Sequence, residues 1–209
     1  HPGHAGDIVE LVRDLQANHQ LPGPLYLLGV SYGATVALFA APQLPELRGV
    51  VALEPYANAA GVIRLAPASG LFGYNWLAHW ITPREVDAAI ARASRKLDVN
   101  LEQVDPGDAL ARSQVCTLIL RGSDDVLTSG KAVAALSRRS SRASYVEVPD
   151  EGHLSLPMRT AWLVPPLLAW MQALPDAIGL CPIFSLPSAT PADSSPGSAR
   201  APTAAQPRR

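Results

Sequence analysis

The sequence predicts an α/β fold: a parallel sheet of about four strands, flanked by helices, with a helical insertion between the second and third strands. Three observations carry this. Short apolar runs bounded by turn residues alternate with segments of helical periodicity. A serine stands between two glycines, where the first such run ends and an alanine-rich segment begins. Aspartates and a histidine fall just past the ends of the later runs.

The elements follow in order. "DIVELVRDLQANH" places Ile8, Leu11, Val12 and Leu15 on one helical face, and "LPGP" stops it. "LYLLGV" is uncharged and short, which suits a strand buried on both faces. "GATVALFAA" is a helix ended by Pro42. "LRGVVALEP" holds a strand near 49–54, "CTLILRG" one near 116–121 and "ASYVEVP" one near 143–148. "TSGKAVAALSRRS" is a helix capped by Thr128 or Ser129. "RTAWLVPPLLAWMQAL" is a helix that its two prolines should break or kink. Strands alternating with helices give a parallel sheet with right-handed crossovers.

Residues 56–115 depart from that alternation. They contain an aromatic stretch and then "TPREVDAAIARASRKL", where Thr82 and Glu85 form a capping box with Pro83 at the first helical position. Val86, Ile90, Ala93 and Leu97 line one face of this helix. The insertion reads as a helical cap over the strand ends, on a core formed by 1–55 and 116–175. Residues 176–209, rich in Pro, Ser and Ala and without periodicity, read as a disordered tail.

Composition narrows the function. The chain has 209 residues, enough for one sizeable core, and 48% of them are hydrophobic. A net charge of −1 provides no field to recruit nucleic acid or anionic membrane. Leu25–Ala41 is uncharged over 17 residues but reads as strand, turn and helix, so no membrane span is expected. Cys116 and Cys181 show no spacing typical of a metal site or disulfide framework, which points to a reducing, cytoplasmic location. His1 and His4 lack further ligands nearby, so no metal is expected.

The chemistry centres on Gly29-Val30-Ser31-Tyr32-Gly33, a G-x-S-x-G match. On a sharp strand-to-helix turn, small flanking residues let the backbones approach while the serine hydroxyl projects above the sheet. Serine needs a base to act as a nucleophile. Asp124 and Asp125 follow the third strand and His153 follows the fourth, so serine, acid and histidine converge on the crevice beyond the strand ends. Glu54, also at a strand end, is a further acid in reach.

With these motifs the chain resembles the alpha/beta-hydrolase superfamily over roughly residues 1–174. "LLGVSYGA" is similar to its nucleophile elbow, "LILRGSDDVLT" to its acid strand and "VPDEGHLSL" to its histidine loop. The resemblance implies Ser31 as nucleophile, His153 as base and Asp125 as acid, since the acid usually falls three residues after the glycine; Asp124 is the alternative. It implies Tyr32 N–H as an oxyanion donor and no cofactor. The aromatic residues Phe72, Trp76 and Trp80 would line a substrate site for an apolar group, with His79 either structural or substrate-lining. The implied function is hydrolysis of a carboxylic ester or related acyl bond on a small-molecule substrate.

The resemblance also implies differences. The family sheet has eight strands, with the elbow after the fifth, and "HPGHAGD" is similar to the turn after the fourth. Four strands and the second oxyanion donor would then be missing. The elbow strand would become an exposed apolar edge open to self-association. The competing reading is a non-catalytic hydrolase-like fragment that binds a partner or ligand.

Overall fold

A computed structural model describes residues 2–69, 80–175 and 179–186. In chain order the elements are α1 (Pro2–Ala17), β1 (Leu25–Val30), α2 (Tyr32–Ala40), β2 (Leu47–Leu53), α3 (Ala59–Leu65), α4 (Pro83–Leu97), α5 (Gly107–Arg112), β3 (Cys116–Gly122), α6 (Gly130–Ser137), β4 (Ala143–Val148), α7 (Ser155–Met158) and α8 (Thr160–Gln172). The four strands form one sheet in the order β1-β2-β3-β4, every neighbouring pair parallel. The expected α/β fold with a parallel sheet flanked by helices is present.

Strand alternation divides the core. Val50 and Ala52 of β2 and Ile119 of β3 face α1, α2, α5 and α6, packing with Val9, Leu38, Leu110 and Val133. Their neighbours Val51, Leu53, Leu118 and Leu120 face the opposite way, onto Trp162, Leu163, Leu167 and Trp170 of α8. Both faces of β2 and β3 are therefore covered, as expected for parallel strands.

The edges differ. Among the described residues β1 has a strand neighbour on one side only, and Leu28 and Val30 are 53% and 39% exposed. This corrects the reading of β1 as buried on both faces and matches the exposed edge implied by the resemblance. The stretch expected to be a turn at 1–7 is helical from Pro2, which suits the first turn because proline lacks an N–H that would be unpaired there. The α8 helix runs unbroken through Pro165 and Pro166.

Between β2 and β3 the described chain is helical. Thr82 and Glu85 form the expected capping box: Glu85 N–H donates to Thr82 Oγ1, and Thr82 N–H donates to Glu85 Oε2 at 2.7 Å. Of the predicted face on α4, Ile90 is buried, whereas Leu97 is 58% exposed. Arg64 of α3 bonds Asp87 of α4 and Glu102 of the following turn, tying the helices of this segment together.

Two expectations at the C-terminus need correction. Cys116 and Cys181 form a disulfide, so the reducing compartment drawn from free thiols loses its basis. The spacing gave no sign of it because β3 and the returning chain meet only in the folded state. The tail, expected to be disordered from 176, is ordered at 179–186: Phe184 packs into the α8 face of the core and Trp170 Nε1 donates to Pro182 O at 3.0 Å. No helix among the described residues is long and apolar enough to cross a membrane.

The cross-link closes a separation of 65 residues. Cys181→Ser should lower unfolding free energy by about 2–4 kcal/mol, read by urea denaturation under oxidising conditions. An unchanged midpoint would mean that the anchored segment adds nothing to stability.

Candidate functional site

The strand ends are stitched together by backbone bonds that extend the sheet past its last paired residues. Ser31 N–H donates to Leu53 O, Glu54 N–H to Leu120 O and Ser123 N–H to Val148 O, each at 2.8 Å. The residues just past β1, β2 and β3 are thereby each held against the end of the next strand.

Ser31 sits between β1 and α2 with φ 52° and ψ −115°, in a left-handed region that an L-residue adopts at a cost of about 1–3 kcal/mol. Gly29 makes the turn possible, since a Cβ there would lie 2.3 Å from Gly33 O. Gly33 is different: a Cβ there meets no described atom within 4 Å. The close approach expected of both glycines is needed only at the first.

The histidine loop is fixed in the same manner. A Cβ on Gly122, at the end of β3, would lie 2.0 Å from Glu151 O. Glycine there lets the chain after β4 cross over β3, and Asp124 N–H donates to Glu151 O at 2.9 Å. This crossing carries His153 toward Ser31.

Ser31, His153 and Asp125 form one hydrogen-bonded chain. His153 Nδ1 lies 2.9 Å from Asp125 Oδ2, and His153 Nε2 lies 2.8 Å from Ser31 Oγ. An ionised carboxylate only accepts, so Nδ1 carries the proton and Nε2 is left to accept from the serine hydroxyl. Asp125 is 4% exposed and receives further bonds from Leu127 N–H (2.7 Å), Thr128 N–H (3.2 Å) and Thr128 Oγ1. Burial alone would raise its carboxyl. The bonds from His153, Glu54, Thr128 and Leu127 outweigh burial and hold it well below the usual carboxylate range.

Asp124, the alternative acid, lies at the exposed surface and accepts from Ser123 Oγ, away from this chain. Tyr32 opens α2, so its N–H belongs to the helix N-terminus beside Ser31. Its ring meets His4 edge-on, and its hydroxyl bonds His4 Nδ1. Trp80 is 77% exposed, while Phe72, Trp76 and His79 lie outside the described residues. The helix cap of α6 is Ser129, which leaves the Thr128 hydroxyl for Asp125.

The residues between β2 and β3 close a cavity of about 210 Å³ beside the turn. Tyr56, Ala59, Leu97, Leu101 and Val104 line it together with His4 and Tyr32. Leu97 thus serves the cavity wall rather than the helix-packing face.

Sequence reasoning undervalued Glu54. It is fully buried, has φ 53°, and its Oε1 accepts from Gly122 N–H at 2.8 Å. Burial first, and then its hydrogen bond to Asp125, push its carboxyl up to about 9. A glutamate closing an otherwise apolar strand, "VVALEP", was the available signal. One ligand atom each from Glu54, Asp125 and His153 lie within 4.8 Å of one another, a spacing compatible with a cation. The mutual His153–Asp125 bond already engages two of these side chains.

Fold and site together define a class. The model of the alpha/beta hydrolase family matches residues 1–165, and the chain belongs to this family. No curated protein sequence matches the chain. Solved structures are similar in fold. An esterase from Pyrococcus furiosus shares 17% identity at a TM-score of 0.52, with 79% of this chain and 56% of that one covered. The esterase domain of a Rhodothermus marinus protein shares 20% at 0.55, covering 80% and 67%. An acetyl xylan esterase from Paenibacillus sp. R4 shares 16% at 0.58, covering 81% and 51%. The chain spans about half to two-thirds of the length of these proteins.

The strained turn makes a comparison of two variants informative. Ser31→Gly should be more stable than Ser31→Ala by about 1 kcal/mol or more, because glycine adopts the positive φ without a Cβ clash. Thermal melts of the two proteins check this, and equal midpoints would mean the backbone at 31 relaxes when the hydroxyl is gone.

Proposed function

We propose that this protein is a serine hydrolase that cleaves a carboxylic ester or related acyl bond. The observation that carries the reading is the unbroken chain from Ser31 Oγ through His153 to buried Asp125. Membership of the alpha/beta hydrolase family and the esterases among similar folds support it.

In this mechanism Ser31 Oγ attacks the acyl carbon while His153 Nε2 takes its proton. Asp125 holds the imidazole in the required tautomer and balances the imidazolium that forms. Tyr32 N–H, at the start of α2, binds the developing oxyanion, where the helix N-terminus favours negative charge. His153 returns the proton to the leaving alkoxide, and the alcohol departs. Water then attacks the acyl-enzyme, with His153 again as base, and the acid is released. The cavity walled by Tyr56, Ala59, Leu97, Leu101 and Val104 is apolar on most sides and suits a small hydrocarbon acyl or alcohol group.

A second reading, a hydrolase-like unit that binds without catalysis, is favoured by one observation. The chain spans only about half of the length of two similar esterases.

Labelling by a fluorophosphonate, followed by intact mass, separates the two readings. The expected result is a single adduct on the parent and none on Ser31→Ala or His153→Ala. A folded parent without adduct would overturn the catalytic reading. If the parent turns over p-nitrophenyl acetate, Asp125→Asn should lower kcat by about 10³- to 10⁴-fold, since an amide no longer fixes the tautomer of His153. A loss below tenfold would remove Asp125 from its assigned role.

A further inference from the structure

Glu54 is the buried titratable group that the mechanism above does not use. It lies at the end of β2, between the Ser31 turn and the Asp125 loop, with its backbone N–H fixed to Leu120 O. Its Oε1 accepts from Gly122 N–H, and its Oε2 is buried without a partner if both carboxyls are ionised. One of its carboxyl oxygens lies within 4.8 Å of an oxygen of Asp125 and of a ring nitrogen of His153.

Two carboxylates this close, both buried, do not ionise together. The hydrogen-bond count decides which one keeps the proton. Asp125 accepts from two backbone N–H groups, one hydroxyl and one imidazole N–H, all of which favour its anion. Glu54 accepts from a single N–H. The proton therefore resides on Glu54 Oε2, which turns an orphaned acceptor into a donor toward Asp125.

We propose that Glu54 is a positioning residue for the Ser31–His153–Asp125 chain: its neutral carboxyl, anchored by Gly122 N–H, donates to Asp125 and keeps that carboxylate ionised and aligned on His153. The proposal rests on the triad reading above. It gives the buried acid pair one negative charge rather than two, matched to the single positive charge that His153 acquires during acyl transfer. Burial together with the Asp125 bond, which push the Glu54 carboxyl up to about 9, agree with this assignment.

The charged groups around Glu54 are otherwise engaged. Arg121 of β3 donates to Thr128 O, to Asp125 O and to Glu147 of β4. The Glu151 carboxylate, past β4, pairs with Arg159 at 2.8 Å. His153 is committed to Asp125 and Ser31.

The test compares the parent with Glu54→Gln and Glu54→Ala. Glutamine preserves volume, accepts from Gly122 N–H and donates to Asp125, but does not titrate. An unfolded glutamate titrates near 4.5 and the folded one near 9. Between those values the folded parent holds a proton that the unfolded chain lacks, so its stability falls as pH rises. The melting temperature of Glu54→Gln relative to the parent should therefore rise between pH 5 and pH 9, by about 2 °C or more. Groups remote from Glu54 are unchanged between the two proteins and cancel in the difference. On p-nitrophenyl acetate at pH 7.5, Glu54→Ala should lose about 10- to 100-fold in kcat with little change in KM, and Glu54→Gln should recover most of that loss. A flat melting difference, or a glutamine variant as impaired as alanine, overturns the proposal. Fluorophosphonate labelling of the parent keeps the two failures apart. If the parent labels and the melting difference is flat, only the role of Glu54 fails. If the parent does not label, the triad reading fails and takes the positioning role with it.

Discussion

The site depends on the continuation of the parallel ladder beyond the strands. Bonds from Ser31 to Leu53, from Glu54 to Leu120 and from Ser123 to Val148 lie past or at the last paired residues of each strand. They set the positions of four successive segments relative to one another before any side chain is considered. Parallel strands make this possible because all four chain directions agree, so every connection leaves from the same end. Ser31 and His153, 122 residues apart in sequence, meet for that reason.

Two glycines convert this frame into a site. Gly29 allows α2 to begin directly against β1, and Gly122 allows the chain after β4 to cross β3. At both, a single methyl group would collide with backbone rather than with a side chain able to move aside. Each glycine thus sets a distance on which the hydrogen-bonded chain depends, one for the serine and one for the histidine. The polar residues around Asp125 then act on a geometry already fixed: Thr128 and Leu127 supply donors, and Arg121 ties the loop back to β3 and β4.

Much of this was legible in the sequence, for physical reasons that differ by element. The four strands are short runs bracketed by turn residues, and the observed spans differ from the expected ones by at most two residues at an end. The Thr82–Glu85 capping box is a local pattern and was readable as such. Asp125, rather than Asp124, followed from the resemblance, while residue pattern alone left both open. What escaped the sequence was long-range. Cys116 meets Cys181, and Phe184 finds the α8 face, only after the sheet has formed. The proline pair inside α8 was read as a break or a kink; the helix continues through it, and its buried face of Trp162, Leu163, Leu167 and Trp170 offsets the local cost. Glu54 looked like a spare acid because its neighbours, Gly122 and Asp125, are about 70 residues away.

The disulfide has a consequence for how the site comes apart. It closes a covalent ring from 116 to 181, and both Asp125 and His153 lie inside that ring. Ser31 lies outside it, on the edge strand that has a single strand neighbour among the described residues. Local openings favour regions with few buried contacts and exposed strand edges. β1 and β4 each have one strand neighbour among the described residues, but only β4 lies within the ring, so a parting of β1 from β2 would withdraw Ser31 while Asp125 and His153 stay inside one closed loop. Within one site the three residues thus differ in tethering: Asp125 and His153 share a covalent ring, and Ser31 is held beside them by the sheet rather than by that ring.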